Sequence, residues 1–151
     1  LIESKSPLRK MEEILKSPTS EALEATLFRL GEALWDMLEE RKDFIVMLHG
    51  ETPRNREVAK VVGEIARTGI NLLSNNLARQ KKLGRLRSDL KPEVFTRVFW
   101  SAIFQNFLAH HRLSPFVRQI HPKKLVREIV RLLLYGAVER DTAKPGGEEG
   151  R

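Results

Sequence analysis

Four histidines are the first residues to weigh, because imidazole both ligates metals and transfers protons near neutral pH. His110 and His111 are successive, so on a helix their side chains point about 100° apart, and His49 and His121 fall at predicted corners. A helical metal pair needs ligands four residues apart, as in H-E-x-x-H, and that spacing does not occur. No metal is expected. Cysteine is absent, which excludes disulfides, thiolate zinc sites and a cysteine nucleophile. Glycine-rich phosphate loops and G-x-S-x-G elbows are missing, and no carboxylate pair lies in an obviously apolar setting. No enzyme and no cofactor are expected from this inventory.

Binding chemistry is better represented. Phe28, Trp35, Leu73, Leu77, Phe99 and Ile103 are bulky apolar residues suited to the walls of a pocket, with Asn76 and Asn106 as polar handles that would orient a ligand. Asn76 shares a helical phase with Ile65, Leu72 and Leu73, so its amide needs either a buried partner or a ligand. The same residues would serve equally as plain core. Net charge is +7 and unevenly spread: 79–91 holds six basic residues against Asp89, and 112–131 holds six against Glu128. Such clusters attract anionic partners, and they also arise on ordinary solvated helix faces.

These side chains must be held by helices. No stretch alternates as a half-buried strand does, whereas apolar residues recur at three- and four-residue steps almost throughout, so the expected fold is all-α. Ser6-Pro7, Ser17-Pro18, Thr52-Pro53 and Ser114-Pro115 read as helix starts, since proline is tolerated in a first turn. A short helix is predicted over 7–16 and a second over 18–41, with Leu23, Leu27, Leu30, Leu34 and Leu38 in one stripe. A corner helix runs from about Asp43 to Gly50. The longest helix spans 53–83 and is capped by Gly84. An aromatic helix follows over 92–112, and a last helix after Pro122 reaches about Arg140. Residues 141–151 have neither large apolar side chains nor periodicity, and disorder is expected there.

The last two helices carry apolar residues on more than one face. Surplus surface of that kind meets either the other helices or a second copy of the chain, and the expected outcome is a homodimer in which these helices form a four-helix bundle. Trp100, Phe104, Phe107, Leu125, Ile129 and Leu133 are the predicted interface. The longest apolar runs fall far short of the roughly 20 residues that span a bilayer, so no membrane partner is expected. Without cysteine or a secretory signal, the expected location is cytoplasmic.

The order and lengths of these helices resemble the C-terminal domain of TetR-type transcriptional regulators. The resemblance covers about 17–140, with 1–16 as connector remnant and short helix, and rests most on Leu83-Gly-Arg-Leu-Arg-Ser-Asp89 and Leu132-Leu-Leu-Tyr-Gly136. Where the family often places an acidic residue before the proline of its dimerisation helix, this chain has Lys91. The resemblance implies a domain that dimerises and senses a small, largely apolar effector, controlling a helix-turn-helix unit that precedes it. DNA would be reached only through that missing unit, in a parent protein that is a repressor. Two other readings of the residues are a basic helical nucleic-acid-binding module using Arg79 to Lys91, and a helical scaffold without a pocket.

Overall fold

Heptad-like apolar stripes separated by proline and glycine dictate helices of unequal length packed on one another. The computed structural model describes residues 7–16 and 22–137, and within them it contains helices and no strand. The elements are α1 (Pro7–Lys16), α2 (Leu23–Glu40), α3 (Lys42–Glu51), α4 (Arg56–Lys82), α5 (Pro92–Arg112) and α6 (Pro122–Tyr135). The expected start at Ser17-Pro18 and the expected disordered tail lie outside the described residues.

Three boundaries differ from expectation, each for a local reason. Thr52-Pro53 forms a turn, because the Asn55 side chain caps α4 by accepting from Glu57 N at 3.1 Å and Val58 N at 3.2 Å. Ser114-Pro115 also makes a turn, and α6 begins instead at Pro122, where His121 Nδ1 accepts from Lys123 N at 3.3 Å. The last helix stops at Tyr135, not near Arg140, because Gly136 adopts a φ of 76° that only glycine takes without strain. Gly84 closes α4 as anticipated. Its φ is 73°, and Gly84 N donates to Lys81 O at 3.0 Å while Arg85 N donates to Gln80 O at 3.1 Å, the paired bonds of a Schellman end.

The core centres on α2, which packs against α1, α3, α5 and α6. Its Leu27, Leu30, Leu34, Trp35 and Leu38 are buried with Phe99, Ile103 and Phe107 of α5 and Val126 and Val130 of α6. Gly31 permits the close crossing of α2 and α6: a Cβ there would sit 2.5 Å from Val126 Cγ1 and 3.2 Å from Ile103 Cδ1. Gly69 plays the same part between α4 and α5, where a Cβ would meet the Trp100 ring at 2.7 Å. Helix α4 is covered only in its second half. Its buried residues begin at Gly69, whereas Val61 and Ile65, towards the edge of the apolar stripe, remain about half exposed.

Candidate functional site

The seam into which the predicted pocket residues face is built by α1, α4 and α5. Leu73 and Leu77 of α4, Phe99 and Ile103 of α5 and Trp35 of α2 are all buried in one continuous apolar cluster. Helix α1 is part of it. It packs against both α2 and α4, and its Met11, Ile14 and Leu15 join the same cluster. A ten-residue helix is too short to persist by itself, so α1 owes its form to this docking.

Asn76 finds its partner in that contact. It is buried, and its Nδ2 donates to Leu15 O at 3.2 Å, which ties α4 to the last turn of α1. Asn106, the other expected handle, is exposed and donates to Ala102 O at 2.7 Å within its own helix. Phe28 lies apart from the other wall candidates. It is half-buried, and Arg127 Cζ stands 5.0 Å from its ring centroid in a cation–π contact. The two residues line a concavity of about 290 Å³ together with Ala22, Glu24, Ala25 and Val130.

Sequence reasoning overlooked two hydroxyls. Thr96 Oγ1 and Ser74 Oγ are buried without a hydrogen-bond partner among the described residues. Helices α4 and α5 run antiparallel with Gly69 opposite Trp100, a register that brings Ser74 of α4 to the level of Thr96 of α5. A buried polar atom without a partner is costly unless something else satisfies it. A Thr or Ser inside an apolar helix leaves no trace in a periodicity pattern, because its small side chain fits either face.

The expected dimer residues divide into two groups. Phe107 is fully buried, with its ring 5.6 Å from that of Trp35 and 4.7 Å from that of His111, and Ile129 is also buried. Trp100 lies over Gly69, and Phe104, Leu125 and Leu133 are half-buried against the core. The apolar side chains that α5 and α6 leave outward are instead Val94, Val98 and Leu132, each close to half exposed, with Tyr135 beside them at the end of α6. Tyr135 OH donates to Glu24 Oε2 at 2.7 Å, which ties the end of α6 to the start of α2.

Histidines gather at the other end of the molecule. His111 Nε2 lies 2.8 Å from Glu39 Oε2, the His110 ring packs edge-on to Trp35, and Arg112 bridges His49 Nδ1 at 3.3 Å and Val46 O at 2.7 Å. These contacts pin the C-terminus of α5 to α2 and α3. Among the described residues no three His, Cys, Asp or Glu side chains come together as metal ligands, and no helix is long and apolar enough to cross a membrane.

The basic segment 79–91 is largely folded back on itself. Lys81 Nζ donates to Leu90 O at 2.8 Å, Arg85 Nη1 to Gln80 Oε1 at 2.9 Å, and Arg87 pairs with Asp89 at 3.3 Å. Half of its cations thus secure the turn between α4 and α5. Searches for similarity find no matching family model, no matching curated protein and no matching solved structure.

Proposed function

We propose that this chain is the effector-sensing and dimerisation domain of a TetR-type transcriptional regulator, in which a small, largely apolar effector enters the α4–α5 seam and displaces α1. The observation that carries this reading is the position of α1, which docks on α2 and α4 through Met11, Ile14 and Leu15 and is held by Asn76 at Leu15 O. An effector that competes for the same seam moves α1, and with it whatever precedes α1. Ser74 Oγ and Thr96 Oγ1 supply hydrogen-bonding groups for that effector, since no other described residue uses them.

Dimerisation in this reading uses the outward faces of α5 and α6. Val94, Val98 and Leu132 are apolar, about half exposed and placed on the two helices whose other faces already fill the core. Repression is the expected outcome of DNA binding, carried by a helix-turn-helix unit outside these helices.

The test has two arms. Sedimentation equilibrium of the chain should give a dimer at micromolar concentration, and Val98→Glu should convert it to a monomer with an unchanged circular dichroism spectrum. A monomeric parent chain removes the reading. Screening small apolar compounds by melting temperature should find ligands that raise it, because a ligand bound only to the folded state adds apparent stability. Hydrogen exchange then reads the mechanism: such a ligand should speed exchange of the α1 amides while slowing those around Leu73 and Leu77.

A second reading is favoured by the way the expected pocket walls pack on one another. Trp35, Leu73, Leu77, Phe99 and Ile103 are packed against one another, and Asn76 already has a partner, as in a helical scaffold without a pocket. A dimer that binds nothing in the thermal screen selects this reading over the first.

A further inference from the structure

From Val94 to Arg127 the chain contains no aspartate or glutamate, while six residues in that stretch are Arg or Lys. The turn joining α5 to α6 lies inside it. Phe116 is 86% exposed there, and Leu113, Val117 and Ile120 are each nearly half exposed. Backbone bonds from Phe116 N at 2.8 Å and Val117 N at 2.9 Å to Leu113 O make the tip of the segment a formed turn, from which Phe116 stands out into solvent. Arg118 and Lys124 flank this tip, and neither has a hydrogen-bond or ion-pair partner among the described residues. Two carboxylates that reach the ends of α5 and α6 are engaged, Glu39 with His111 at 2.8 Å and Glu32 with Lys123 at 3.7 Å.

We propose that this tip docks on an anionic lipid surface, with Phe116 and its apolar neighbours entering the headgroup region while Arg118 and Lys124 meet the negative charge of the lipids. Apolar insertion and a basic patch are separately weak and jointly sufficient for reversible attachment. A nucleic acid would satisfy the cations but leave the apolar side chains in water. A second copy related by a two-fold axis at this tip would bring two acid-free segments together. An acidic protein would need a concave apolar surface to receive Phe116, whereas a bilayer surface deforms around it. The attachment is peripheral, so it departs from the expectation of no membrane partner without requiring a spanning helix. It is independent of the dimerisation and effector reading.

Co-sedimentation of the full chain with vesicles tests it, using phosphatidylcholine alone and phosphatidylcholine mixed with phosphatidylserine. Binding is expected only to the mixed vesicles and should fall as salt rises. Phe116→Ser should weaken it about tenfold through lost apolar burial, and Arg118→Ala or Lys124→Ala about fivefold each. Phe116 is on the surface, so its variant should keep the parent's melting temperature, which separates lost docking from lost folding. Equal binding to neutral vesicles, or none to either, overturns the proposal. So does Phe116→Ser leaving vesicle binding unchanged, or lowering self-association or the capture of an acidic peptide in its place.

Discussion

Thr96 is the residue at which this structure is most plainly unfinished by its own side chains. Its hydroxyl is fully buried and has no partner among the described residues, and removing it while keeping the branched shape should relieve a desolvation cost. Thr96→Val is expected to raise unfolding stability by about 1 kcal/mol in urea titrations, and in the effector reading it should also weaken any ligand found by the thermal screen. Gly31 presents the opposite case. Alanine there gains about 1 kcal/mol of helix propensity, but its Cβ would fall 2.5 Å from the β-branched Val126 side chain. Overpacking costs about 1–3 kcal/mol, so Gly31→Ala should destabilise on balance, and combining it with Val126→Ala should restore part of the loss in a double-mutant cycle. The sequence marks Gly31 only as one more small residue in an apolar stripe. Nothing in the chain order reveals that residue 126 will cross it.

Among the elements, α4 is the clearest instance of a helix whose pattern outruns its packing. Val58 and Val62 keep the phase of Asn76 and Leu73, yet they are only part-buried, and the fully buried residues begin at Gly69. The N-terminal half is therefore held by its own hydrogen bonds, by the Asn55 cap and by contact with α3, which itself has no fully buried residue. Native-state hydrogen exchange should show faster opening at 58–66 than at 72–80. Asn55→Ala should cost about 1 kcal/mol, the usual worth of a side-chain cap, and should speed exchange in the first two turns of α4 more than elsewhere. Helix ends were legible where a single residue decides them, as at Gly84, and misread where two candidates compete. Thr52-Pro53 and Asn55 lie within four residues of each other, and only the side-chain bonds of Asn55 settle which begins the helix. Lys91 offers no side-chain acceptor, and α5 accordingly starts without a side-chain cap bond.

For the whole molecule, α1 ties its fate to the rest through three buried side chains and the Asn76 bond. Asn76→Leu should therefore release Leu15 O without leaving a buried amide unpaired, and limited proteolysis is expected to cut more readily within 7–16 while α2 to α6 stay protected. If cleavage rates do not change, α1 is held by apolar contact alone. Helical class, element order and most of the core were determined by the sequence itself, because 3.6-residue periodicity and the punctuation of proline and glycine act locally and need no knowledge of what lies across the core. Tertiary structure alone decided which residues of one stripe remain outside: Ile65 and Asn76 share a helical phase on α4, yet Asn76 is buried and Ile65 is about half exposed. It also decided that Asn76 is answered by a backbone carbonyl of α1 and that Thr96 is answered by no described residue. Those outcomes depend on contacts between segments some twenty to sixty residues apart, such as the 61 residues separating Leu15 from Asn76, and such contacts are set by how the helices cross, which no local pattern encodes.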